Sequence, residues 1–168
     1  MNRSIFRIFA CTALLAGAGT GSAGVLDSPV PLLGGQKTSI AYAVTGVING
    51  AGLGTLFSCT NTSSAAMMVS VDLFVDAGGA PCNDSSAVAV TIDPGATKMF
   101  STQNNVQSSF FSTVPLTAVD MFLALGSARI IATGKGLICS GMVADVYNSP
   151  PTSMIPLVMA ARGKHKGD

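Results

Sequence analysis

Apolar and polar positions alternate with a period of two along most of this chain, and that alternation predicts β-strands. In AMMVSVDLFVD (66–76), Met67, Val69, Val71, Leu73 and Val75 point one way, while Ser70, Asp72 and Asp76 point the other. SIAYAVTGVI (39–48) sets Ile40, Tyr42 and Val44 against Ala41, Ala43 and Thr45, and TLFSCTN (55–61) places Phe57 and Cys59 on one face. AVAVTID (87–93) resumes the pattern with Val88, Val90 and Ile92 inward, and TKMFS (97–101) follows as a short strand. ARIIAT and GLICSGMVAD flank Gly134-Lys135, a glycine-first pair that suits a two-residue type II′ hairpin. MIPLVMAAR (154–162) reads as a last strand, placed at an edge because Pro156 has no amide proton to donate. AVDMFLALG (118–126) is apolar without a clear period and reads either as a buried strand or as one or two helical turns.

Turn chemistry punctuates these segments. NGAGLG (49–54) and AGGAPCNDSS (77–86) are rich in residues that accept positive φ, and DPGAT (93–97) fits a type II turn with Pro94 second and Gly95 third. Seven or eight short strands with turns about every ten residues predict an all-β domain, a single two-sheet sandwich or a Greek-key barrel. Composition agrees: Glu, a good helix former, is absent, and Val, Ile and Thr recur.

The first residues set the expected compartment. MNRSIFR carries Arg3 and Arg7, residues 8–18 are apolar, and Gly21 and Ala23 occupy the small positions that a signal peptidase needs. The apolar run is too short to span a bilayer, which takes about 20 residues. Residues 1–23 are therefore expected to be a cleaved secretory leader, with an extended lead-in at 24–37, a β-domain at 38–162 and a basic tail at 163–168. The expected location is secreted or periplasmic, with no membrane association after cleavage. Loss of Arg3 and Arg7 leaves seven basic side chains against eight Asp, close to neutrality. That balance, with no Trp and no basic patch, excludes nucleic acid as a partner.

Three cysteines follow the leader: Cys59, Cys82 and Cys139. There is no C-x-x-C, and the single His165 lies in the tail, which argues against a metal site or a redox pair. In an exported chain the default is a disulfide. Cys59 and Cys139 both face inward with apolar neighbours, so they are the expected pair, bridging two sheets, with Cys82 left as an accessible free thiol on its loop. The alternative is a pair of buried free thiols.

No catalytic set emerges. His165 has no nucleophile motif beside it, and no G-x-S-x-G occurs. Asp72 and Asp76, with Asp145, offer carboxylates on paper, but outward positions of a half-buried sheet explain them as solvated residues. Asn83, Asp84 and Asp93 lack the spacing of a calcium loop. The methionines do not cluster, so they read as core filling rather than copper ligands. Asn61-Thr62-Ser63 and Asn83-Asp84-Ser85 match the glycosylation sequon on expected loops. No cofactor is expected.

The early and late cysteine strands resemble, loosely, an immunoglobulin-type sandwich, although no Trp lies between them and Leu137 stands where a tyrosine corner would place Tyr. LFSCTN, GSARIIAT, LICSGMVAD and PPTSM together look like small exported bacterial proteins of uncharacterised function. That resemblance implies a compartment and a fold, and no ligand. The expected function is a non-enzymatic exported module with a structural or protein-binding role, monomeric or weakly self-associating. An adhesin- or pilin-like subunit that exchanges an edge strand is the alternative, donating either the lead-in or the last strand. An Asp-dependent hydrolase using Asp72 or Asp145 is a weaker one.

Overall fold

The computed structural model describes residues 24–103, 113–116, 123–145, 147–148 and 150–162. The leader, the basic tail with His165, and most of the apolar segment 118–126 lie outside the described residues. The described residues form ten strands: β1 (Ser39–Gly50), β2 (Leu53–Asn61), β3 (Met67–Phe74), β4 (Val90–Ile92), β5 (Thr97–Ser101), β6 (Thr113–Pro115), β7 (Leu123–Ala132), β8 (Leu137–Asp145), β9 (Met154–Pro156) and β10 (Met159–Ala161). Among the described residues there is no helix, so the all-β class holds, and no helix is long and apolar enough to cross a membrane. All ten strands are hydrogen-bonded into one curled sheet, mixed because β5 and β6 run parallel.

The sheet divides into two stretches. In one, β7 lies between β3 and β1, with β4 beyond β3 and β10 on the other side of β1. In the other, β2 lies between β5 and β8, with β6 beyond β5 and β9 beyond β8. The stretches meet where β1 turns into β2 through Ala51 and Gly52, whose φ angles of 51° and 79° carry the signature of a type I′ hairpin. Only two residue pairs follow before the strands part, Gly50 with Leu53 and Asn49 with Gly54. Beyond them the Thr55 hydroxyl spans the gap, accepting from the Ile48 amide at 2.9 Å and donating to the Ile48 carbonyl at 3.0 Å. A side chain thus replaces the ladder and lets β1 diverge from β2. The stretches meet again at the end of the chain. The expected single strand 154–162 is broken at Leu157 and Val158, so that β9 pairs with β8 and β10 pairs with β1.

Gly134-Lys135 does not close a hairpin. β7 pairs with β1 and β3, β8 pairs with β2 and β9, and residues 133–136 carry the chain from one stretch to the other. Each end of the link is held by a different strand. Thr133 stays with β3, its amide donating to the Met68 carbonyl at 3.0 Å and its hydroxyl accepting from the Met68 amide at 3.0 Å. The Gly136 carbonyl accepts from the Thr62 amide and hydroxyl at the end of β2. Those long-range bonds override the local turn preference.

One apolar core draws on both stretches: Val44, Val69, Val71, Leu73 and Ile130 from the first, Phe57, Cys59, Phe100 and Leu137 from the second. Across it the Tyr42 hydroxyl donates to the Leu137 carbonyl at 2.9 Å, tying β1 to β8. Of the inward residues expected along 66–76, Met67, Val69, Val71 and Leu73 are buried, while Val75 lies past the end of β3 and is half-buried. The outer face of β3 is buried too, because residues 24–38 fold over it and set Leu33 against Ile40 and Ile131, flanked by Val30 and Met68. The lead-in is thus a docked cover, with a turn at its start and a Leu33–Gln36 bridge at its end. Segment 87–93 contributes only three strand residues, because the Asp84 carboxylate accepts from the Ser86 and Ala87 amides and coils the chain just before it.

Candidate functional site

Asp72 and Arg129 face each other directly across β3 and β7, on the outer face of the sheet. Strand alternation puts both there, and alternation alone led to the expectation that Asp72 is solvated. The structure corrects this. Asp72 is 1% exposed and Arg129 is 0% exposed, and the Arg129 Nε–H donates to Asp72 Oδ2 at 2.5 Å. The remaining partners of the guanidinium are backbone carbonyls of the covering segment. Nη1 donates to Val25 at 3.1 Å and Ser28 at 2.7 Å, and Nη2 donates to Pro29 at 2.7 Å. Arg129 also lies 5.3 Å from the centroid of the Phe74 ring, within cation–π range. A buried cation is tolerated only with a counter-ion and hydrogen bonds for its protons, and here the N-terminal segment supplies three of the acceptors. Arg suits this role because its planar fork spreads donors over several acceptors at once. Sequence reading passed over Arg129. Its signal was a lone basic residue inside the apolar run SARIIAT.

Cys59 and Cys139 are brought together, with their Sγ atoms 2.11 Å apart. They are directly opposed residues of the adjacent strands β2 and β8, with Cα atoms 4.2 Å apart. The expected bridge between two sheets is therefore a cross-strand link within one strand pair. Cys59 is fully buried and Cys139 half-buried. Cys82, the free thiol among the described residues, is also half-buried rather than openly accessible. It packs against the core, its thiol donates to the Leu73 carbonyl at 3.1 Å, and burial raises its pKa.

Both sequon asparagines have structural duties. Asn61 is 0% exposed, and its Nδ2 donates to the carbonyls of Ala65 at 2.8 Å and Ile92 at 2.9 Å. Its Oδ1 accepts from the Ser63 amide and hydroxyl, so the amide pins the corner between β2 and β3. The Asn83 amide does the same along the edge of β3, accepting from the Leu73 amide and donating to the Val71 carbonyl. Asn61 is therefore the last residue of β2 rather than a loop residue, whereas Asn83 lies in the 77–86 loop as expected, with its amide engaged.

The remaining carboxylates do not assemble. Asp76 lies beyond the end of β3 and accepts from the Ala77 amide, at the rim of a shallow cavity of about 480 Å³ lined by Thr45, Val75, Leu125 and Ser127 among others. Asp145 ends β8 and accepts from the Asn148 side chain, the Thr152 hydroxyl and the Tyr147 amide, which together hold its pKa below the usual carboxylate value. Asp72 and Asp145 sit on strands that do not pair, each tied to its own loop or segment. Among the described residues no group of three or more His, Cys, Asp or Glu is placed to hold a metal ion. The site that the chain builds most completely is therefore the Asp72–Arg129 pair and the segment seated over it. Comparison with protein families, with characterised proteins and with solved structures found no match.

Proposed function

We propose that this chain is an exported, non-enzymatic β-module with a structural or protein-binding role, its curled sheet folded into a two-layer sandwich. The observation that carries the reading is the Asp72–Arg129 pair, which is spent entirely on holding the chain's own N-terminal segment. A fully buried ion pair whose guanidinium is bonded to the chain's own carbonyls organises structure rather than substrate. Export is supported by the leader pattern of residues 1–23 and by the disulfide-distance pair of Cys59 and Cys139, a bond that persists in oxidising compartments. Two layers are supported by the single core shared between the stretches. Fractionation of the producing cell, with non-reducing peptide mapping, tests the reading. It expects an extracytoplasmic chain in which Cys59 and Cys139 are linked. A cytoplasmic chain with both thiols alkylated would contradict it.

A subunit that assembles by exchanging a segment is the second reading. The observation favouring it is that residues 24–32 pair with no strand of the sheet, whereas the last strand is laddered to both β8 and β1.

A further inference from the structure

We propose that residues 24–33 form an exchangeable arm, and that the groove over Asp72 and Arg129 accepts this arm from a second copy of the chain. The inference goes beyond the structural-module reading by naming a partner and the segment that joins it.

The groove demands an occupant. With the arm withdrawn, Arg129 loses three carbonyl acceptors and the Ile40–Ile131 cluster loses the Leu33 side chain that covers it. What fits is a main chain with a turn at 24–28, presenting the carbonyls of Val25, Ser28 and Pro29 in that order, followed by an apolar side chain at Leu33 for the Ile40–Ile131 cluster. An identical arm from another molecule meets every one of these requirements.

The arm can also leave as a unit. Its amide bonds within the arm run from Asp27 and Ser28 to the Gly24 carbonyl, and the bonds lost on leaving are those from Arg129, one from the Thr38 hydroxyl to the Pro31 carbonyl, and the isolated Leu33–Gln36 pair that closes over Gly34-Gly35. No ladder has to break. Between the arm and β1 lie Gly34 and Gly35, with φ angles of 55° and 76°. Glycine crosses from this left-handed region to extended φ at little cost, so the pair serves as a pivot that swings the arm off its own sheet. Leu26 and Leu32 lie on the arm and are more than half exposed in the single chain. Two exchanged arms crossing between molecules would bring those leucines to a new interface. Exchange of an identical element conserves every contact except those at the hinge, so the hinge decides the balance.

The test uses the purified full chain. Isotope-labelled and unlabelled pools are mixed at concentrations approaching about 1 mM, the range a short tether imposes on its own segment. The expected result is mixed dimers with an intermolecular contact between the Leu33 methyls of one copy and the Ile131 methyls of the other. Gly35→Val sharpens the test: a Cβ at that position meets nothing within 4 Å, so the change acts on the left-handed φ alone. It should raise the dimer fraction several-fold at equal concentration. A folded wild-type chain that stays monomeric throughout this range overturns the proposal. So does a dimer in which Leu33 keeps its contact with Ile131 of the same chain, an outcome that leaves the structural-module reading standing. A cytoplasmic location removes that reading without touching arm exchange.

Discussion

Asp72 and Arg129 are directly opposed residues on β3 and β7, and both are removed from solvent by a segment about a hundred residues distant from Arg129 in the chain. Breaking such a pair from one side leaves an uncompensated charge. Arg129→Ala is expected to lower stability by about 3–5 kcal/mol. The joint replacement Asp72→Leu with Arg129→Met should recover part of that loss, since an apolar pair of similar volume avoids the desolvation cost. Urea unfolding of the two variants and the wild type checks both the size and the order of the effects.

The same pair marks the limit of what the sequence discloses. The β3 alternation was legible because strand geometry repeats every two residues, and it assigned Val69, Val71 and Leu73 to the core correctly. It equally assigned Asp72 to the outer face, but what covers an outer face is written elsewhere, in a Pro- and Gly-rich segment with no period of its own. The cysteine pairing was legible because both strands carried a clear face. The layer geometry was not, because Gly134-Lys135 speaks the local language of a hairpin while Thr133 and Gly136 are claimed by β3 and by Thr62. Local turn chemistry loses there to four long-range hydrogen bonds.

Asn61 offers a second test of buried polar groups. Asn61→Ala removes the donor to the Ala65 and Ile92 carbonyls and the acceptor for Ser63. Each buried group left unpaired costs about 1–3 kcal/mol, so the variant should melt well below the wild type. Expression of the folded chain in a glycosylating host should leave Asn61 unmodified, and intact mass reads this directly.

The disulfide should matter in proportion to the chain it spans. The two cysteines are 80 residues apart, and closing a loop of that size stabilises by about 4 kcal/mol on a chain-entropy treatment. Cys59→Ala is expected to cost about 2–5 kcal/mol. Thermal melts with and without reductant, compared with the variant, check it. Reduction should leave the variant's melting temperature unchanged.

Cys82 is expected to react slowly in the folded chain. Burial raises its thiol pKa above the ordinary value of 9.0, so the thiolate is scarcer than in the unfolded chain at any neutral pH. The sign for stability follows. A raised pKa means that the unfolded state releases its proton first, so this contribution is intact below the ordinary thiol pKa and is lost as pH rises through the folded value. Alkylation rates between about pH 7 and 10 should climb later for the folded chain than for the chain in denaturant. Coincident profiles would contradict the half-buried placement.

The central claim is that the N-terminal segment closes over Arg129 and is part of the fold. Hydrogen exchange at arginine side chains, followed by NMR, tests it with no substitution at all. Arg129 Nε–H donates to Asp72 beneath the arm, while Arg162 ends the described chain and is exposed. The account predicts that the Arg129 Nε–H signal persists in D2O long after that of Arg162 has gone. Loss of both signals at the same rate would contradict it.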